Sequence, residues 1–137
     1  MDINFTVADK GRHFVVLLFE DYVVKIPKNL KQRQDTKWLD FIANSQTYLA
    51  EKIEGVLPCE RVDNFLVMPR AQGIRVDLLP KHIRKELKEH IDKKRGEILI
   101  AIQRCGFRLD DVCDQNMFYH RAEDKLYIID YGNLRKV

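Results

Sequence analysis

Five β-rich runs in the first half of this chain are interrupted by one helical pattern, and that order limits the fold more than any other feature. Residues 3–7 (Ile-Asn-Phe-Thr-Val) read as a short strand, with Ala8-Asp9-Lys10-Gly11 as a turn. His13–Phe19 is dense in β-branched and aromatic residues, Glu20-Asp21 turns the chain, and Tyr22–Ile26 is a third strand. Pro27 limits further pairing because it has no N–H to donate. Lys28–Asp35 is polar and reads as a loop or a frayed helix start. Trp38, Leu39, Ile42, Leu49 and Ile53 recur at helical spacing, predicting one helix over about residues 36–54, ended by Gly55. Leu57–Val62 and Asn64–Met68 complete the set of strands.

The second half changes character. Ile83, Leu87 and Ile91 stand four apart, and Ile98, Leu99 and Ile102 continue the apolar face. Lys81–Cys105 is therefore one long helix, or two broken near Gly96, with Gly106 as the C-terminal cap. Phe107–Leu109, Met117–Tyr119 and Leu126–Ile129 are short strand-like pieces, and His120–Lys125 is a polar hairpin turn. The fold class is α+β, with an antiparallel N-terminal sheet carrying one helix.

At 137 residues the chain holds one domain, or two small lobes sharing a cleft. Hydrophobic residues make up 45% of it, enough for a globular core. A net charge of +3 is too small to indicate a specific nucleic-acid partner. The longest apolar stretches, Phe14–Phe19 and Leu126–Ile129, are far short of a membrane span, and no leader pattern opens the chain. Cys59, Cys105 and Cys113 are widely spaced without a C-x-x-C pair, which argues against disulfides and zinc and for a reduced, cytoplasmic chain.

The chemistry is concentrated near the C-terminus. Asp111 is followed five residues later by Asn116, and the apolar run Tyr127-Ile128-Ile129 leads into Asp130-Tyr131-Gly132. Phosphoryl transfer from a metal nucleotide needs one carboxylate to orient a hydroxyl, and an amide with a second carboxylate to hold Mg²⁺. Asp111 and Asn116 resemble the D-x-x-x-x-N catalytic loop of the protein-kinase-like superfamily, and Asp130-Tyr131-Gly132 resembles its D-F-G metal site. Val23-Val24-Lys25-Ile26 resembles the V-A-I-K strand. Phe65–Gly73 resembles the strand-to-hinge passage.

The resemblance implies a minimal two-lobed protein-kinase-like fold: residues 1–69 as N-lobe, 70–73 as hinge, and 74–137 as a truncated helical C-lobe with a catalytic β-hairpin. It implies ATP and Mg²⁺ as cofactors. Lys25 would hold phosphates, Met68 would line the back of the adenine pocket and Ala71 would supply a hinge amide. Asp111 would orient the acceptor hydroxyl, while Asn116 and Asp130 would hold the metal. Asp114 is a further acidic candidate.

Several positions depart from the family pattern. No glycine-rich phosphate loop precedes Lys25, although Lys10 and Arg12 could contact phosphate in its stead. Leu109-Asp110 stands where His-Arg precedes the catalytic Asp. The helical acid that would pair with Lys25 has no clear match, Asp40 and Glu51 both being available. The chain stops five residues after Gly132, without an activation segment. Two readings follow: an ATP/Mg-dependent phosphotransferase of unknown acceptor, or a pseudokinase acting as a nucleotide-binding or protein-interaction module. The basic set Arg84-Lys85, Lys88 and Lys93-Lys94-Arg95 reads as the wet face of an amphipathic helix.

Overall fold

A computed structural model of the protein describes the backbone of residues 6–10 and the whole of residues 13–137. The readings that rest on Gly11, Arg12 and the side chain of Lys10 lie outside that description. The first strand, β1 (Thr6–Lys10), pairs with β2 (Phe14–Leu18), so Ala8-Asp9-Lys10 is strand where a turn is expected. A register shift between Val7 and Asp9 absorbs the irregular sequence there.

β2 pairs with β3 (Tyr22–Pro27), which pairs with β5 (Phe65–Pro69), and β4 (Glu60–Val62) closes the far edge. The result is a five-stranded antiparallel sheet in the order β1-β2-β3-β5-β4. β4 is shorter than the expected Leu57–Val62, because the Cys59 backbone is bonded to the Thr47 hydroxyl, N–H to Oγ1 at 3.0 Å and Oγ1 to carbonyl at 2.7 Å. Along β3, Val23, Lys25 and Pro27 are buried while Tyr22, Val24 and Ile26 are not, the period-two alternation of a sheet with one covered face. The register sets Lys25 opposite Leu66 and Val23 opposite Met68, both buried on β5.

Residues 28–35 are more ordered than their polarity predicts. Asn29 caps a short helix, α1 (Leu30–Gln34), by accepting the Gln32 N–H. Helix α2 (Thr36–Lys52) then lays Leu39, Ile42, Ala43, Gln46 and Leu49 along one buried stripe. Trp38 stacks on Phe14 of β2, with ring centroids 5.4 Å apart and planes 7° from parallel.

The second half is built on α3 (Lys81–Arg104), one helix that runs through Gly96 without a break. Ile91, Ile98 and Ile102 form its buried face. Two strands that the sequence does not announce appear around it. β6 (Ile74–Arg75) joins β8 (Met117–His120) and β9 (Lys125–Ile128) in a three-stranded sheet, and β10 (Leu134–Lys136) pairs with β7 (Phe107–Leu109). β6 can approach β8 only because residue 73 is glycine. Its φ is +101°, and an added Cβ would sit 2.2 Å from the Tyr119 carbonyl oxygen.

The chain divides into two compact units. One comprises residues 1–48 and 57–70, and the other residues 49–56 and 71–137. No helix among the described residues is long and apolar enough to cross a membrane.

Candidate functional site

In the first unit, Lys25 is the chemically unusual residue. It is 5% exposed on the central strand β3, with its Nζ 5.9 Å from the centroid of the Phe14 ring. Removing an ammonium from water costs several kcal/mol unless anions or dipoles compensate it. Its charge also reaches the Cys59 thiol. Burial pushes that thiol up to about 11, and the lysine charge opposes the shift.

Asp40 on α2 is bound by Arg61 of β4, and Glu51 is exposed. α2 buries two polar residues, Ser45 and Gln46; the deeper is Gln46, 1% exposed, whose Nε2 donates to the Leu57 carbonyl at 2.8 Å. By type Gln46 is a neutral polar residue in the middle of the helix. Its position four after Ile42 and three before Leu49 places it on the apolar stripe, and that was the available signal. Met68 is 3% exposed, with its Sδ 3.9 Å from the same Gln46 Nε2. A cavity of about 820 Å³ opens between α2 and the β4 edge of this unit, walled by Asp40, Thr47, Cys59, Arg61 and Met68. Lys25 is not in its wall, but Cys59, whose thiol the lysine charge reaches, is.

The second unit holds Ala71, Asp111, Asn116 and Asp130. Ala71 is buried at the start of that unit. The β8–β9 register pairs Met117 with Ile128, and one step further the Ile129 N–H donates to the Asn116 carbonyl at 2.9 Å. The ladder therefore brings Asn116 level with Ile129, and Asp130 follows at the open end of the hairpin. Asn116 reaches back along its own loop, its Nδ2 lying 3.5 Å from the Asp111 carbonyl oxygen and 3.5 Å from Cys113 Sγ. Asp111 itself is exposed and left-handed, φ +59°, a conformation that Asp tolerates better than most residues. Asp130 is half-buried, and its Oδ1 accepts the Gly132 N–H at 2.9 Å. Between them Tyr131 is 1% exposed with its hydroxyl unpartnered, and burial raises its pKa well above the ordinary tyrosine value.

Among the described residues no three His, Cys, Asp or Glu side chains converge to cage a metal. A carboxylate and an amide at a strand end are a different donor set. They suit a hard cation that completes its shell with phosphate oxygens and water.

Two further structures frame this loop. Asp110 is gripped by Arg108 at 2.9 Å and Arg135 at 2.7 Å, and the Arg108 bond is the main reason that its carboxyl titrates below the usual range. At the far end of the hairpin, Asp124 receives the Tyr119 hydroxyl at 2.6 Å, His90 at 2.7 Å and Lys94 at 3.4 Å. Those partners, Tyr119 first, lower Asp124 to about 2, while Tyr119 is pushed up to about 12 by burial and then by that bond. Neither arrangement has a motif in the sequence.

The chain superposes on the kinase PK-1 of Cydia pomonella granulovirus over 99% of its own length, with a TM-score of 0.66 at 18% identity. The fold is protein-kinase-like. A crystal structure of WbdD matches over 98% of the chain, with a TM-score of 0.57 at 18% identity. A co-crystal of WbdD with a kinase inhibitor matches over 93%, with a TM-score of 0.54 at 20% identity. WbdD is a bifunctional kinase-methyltransferase. The kinase-like chain described here spans 55% of the PK-1 chain and 33% and 32% of the two WbdD chains. No protein-family model and no curated protein sequence matches it.

Proposed function

We propose that this protein is a minimal ATP/Mg-dependent phosphotransferase, with residues 1–69 as N-lobe, 70–73 as hinge and 74–137 as C-lobe. The observation that carries the reading is the β8–β9 register, which sets Asn116 opposite Ile129, the residue before Asp130. Asn116 Oδ1 and the Asp130 carboxylate would hold Mg²⁺, whose chemistry is to neutralise phosphate oxygens during transfer. Lys25 would bind the α- and β-phosphates, whose charge offsets the burial of its ammonium. Met68 and the Ala71 amide would receive the adenine. Asp111 would accept a hydrogen bond from the acceptor hydroxyl, aim its oxygen at the terminal phosphorus and take its proton as the new P–O bond forms and the bond to ADP breaks. Three free cysteines fit a cytoplasmic setting.

One observation favours a second reading. A pseudokinase has no need of a glycine-rich phosphate loop, and none precedes Lys25 in the sequence. Such a chain would bind nucleotide, or a protein partner, without turnover.

The test is thermal stability against ATP with and without Mg²⁺, paired with measurement of phosphate release. A ligand at about 100 times its Kd adds about 2.7 kcal/mol. A Mg-dependent shift with turnover, both lost in Asp130→Ala, supports the enzyme. A shift without turnover supports the pseudokinase. No shift at millimolar nucleotide overturns both nucleotide readings.

A further inference from the structure

The basic residues of α3 divide into two groups. In the C-terminal half, Lys94 is paired with Asp124, and Arg95 with Asp92. In the N-terminal half, Lys81, Arg84, Lys85 and Lys88 border a concavity of about 300 Å³. Lys81 and Lys85 have no carboxylate within ion-pair distance among the described residues, and Lys88 touches Asp92 only at 3.9 Å. Arg84 is turned toward the Asp77 carbonyl, with Nη1 at 3.3 Å. The wall also holds Asp92, Asp114 and the apolar floor of Val76 and Ile91. Four cations against two carboxylates leave it net positive, and Asp92 is already shared with Arg95.

A solvated helix face presents its lysines convexly, where water and salt screen them. Here Lys81, Lys85 and Lys88 are exposed but border one hollow with Arg84, so their charges add at one place on the surface. The hollow also adjoins the chemistry. Asp114 opens the turn Asp114–Asn116, which continues the loop from Asp111 and ends at the proposed metal ligand Asn116. Asp114 repels an anion from the loop end, so an anionic group is directed toward the helix and the rest of its molecule toward the loop.

We infer that this hollow binds a phosphate group on the phosphoryl acceptor, making the acceptor a small phosphate-bearing alcohol. The inference rests on the phosphotransferase reading and gives that reading a substrate class. A volume of about 300 Å³ is at the small end of ligand sites, matching a phosphomonoester head with a few carbons rather than a folded partner.

The experiment is a titration of the full chain with inorganic phosphate, then glycerol 3-phosphate, then a single-stranded RNA oligomer, followed by amide NMR shifts. The expected result is saturable shifts at residues 81–88 and 114–116 with both small phosphates. In the Lys81→Gln/Lys85→Gln double variant the apparent affinity should fall about tenfold. That variant should keep the wild-type ATP/Mg thermal shift, because neither lysine is assigned to nucleotide. Absence of localised shifts, or equal shifts in the variant, overturns the acceptor site and leaves the nucleotide reading standing. RNA binding that phosphate does not displace also overturns it, by making the face a polyanion surface. Phosphate binding in a chain that shows no ATP response overturns the acceptor role through the failure of the phosphotransferase reading.

Discussion

Asn116 and Ile129 face each other across the open end of the β8–β9 hairpin, joined by a 2.9 Å bond from the Ile129 N–H to the Asn116 carbonyl. A strand register is hard to slip when one face is buried, and Met117, Tyr119, Leu126 and Ile128 are all buried here. The pairing of Asn116 with Ile129, the residue before Asp130, is therefore a property of the core. Asp130→Ala and Asn116→Ala should each fold, because both sites are half-exposed, and each should lose the Mg-dependent part of the nucleotide thermal shift. Calorimetric titration of ATP with and without Mg²⁺ checks this. A wild-type Mg response in Asp130→Ala would remove Asp130 from the metal site.

Asp110 stands between two arginines that the β7–β10 register sets opposite each other, Arg108 and Arg135. Like charges directly across a ladder are destabilising, and the carboxylate relieves them. Asp110→Asn should lower the melting temperature, and raising the salt should recover part of the loss, since the Debye length shrinks from about 10 Å at about 0.1 M to about 3 Å at about 1 M. The carboxyl is held below its ordinary range, so its stabilisation is present above the unfolded aspartate value and is lost as the pH falls. A melting temperature unchanged in low salt would show that the clamp contributes nothing.

How far the sequence spoke for the fold depended on period and length. Leu39, Ile42 and Leu49 announce α2, and Tyr22–Ile26 announces β3, because buried stripes with period 3.6 or 2 are visible along one chain. β6 and β10 were not visible. Two or three residues are too few to show a period, and only pairing partners define such strands. The same limit governs the site. Asp111, Asn116 and Asp130 could be picked out by spacing, whereas Asp110 with Arg135, and Asp124 with His90, are meetings of residues 25 and 34 positions apart. Gln46 was hidden for another reason: its residue type masked a position that the helical stripe marks as buried.

The Asp124 cluster gives the protein an acid and an alkaline limit. Asp124 titrates at about 2 in the fold, against about 3.9 unfolded, so its contribution is complete above about pH 4 and is lost between about pH 4 and 2. Tyr119 titrates at about 12, against about 10 unfolded, so its contribution is complete below about pH 10 and is lost as the pH rises toward 12. Asp124→Asn suits the left-handed backbone there, φ +54°. The melting-temperature gap between wild type and this variant should be constant near neutrality and close as the pH falls below about 4. A gap that is independent of pH down to about 2 would mean that the carboxylate charge is irrelevant to the hairpin tip.

Gly73 is a structural requirement. A Cβ there would meet the Tyr119 carbonyl at 2.2 Å, and backbone atoms cannot swing aside as a side chain can. The left-handed φ of +101° adds its own strain. Gly73→Ala should destabilise the chain by more than about 1 kcal/mol, with β6 detached from β8. Gly96→Ala, in open space within α3, should stabilise by about 0.5–1 kcal/mol. Urea unfolding of the pair reads both signs, and equal midpoints would contradict the assigned geometry.

The three cysteines report on both units in one experiment. Cys59 is 7% exposed, and its thiol is pushed up to about 11, so at about pH 8 only about one molecule in a thousand carries the reactive thiolate there. Cys113 is exposed, with its Sγ 3.5 Å from Asn116 Nδ2, and Cys105 is intermediate. Alkylation of the folded protein, followed by intact mass and peptide mapping, should modify Cys113 first and Cys59 last. ATP with Mg²⁺ should slow Cys113 selectively, because a metal held by Asn116 would fix the side chain beside that sulfur. Equal protection of Cys105 would point to general tightening of the fold, and faster labelling of Cys59 than of Cys113 would contradict the packing of Cys59 beneath α2.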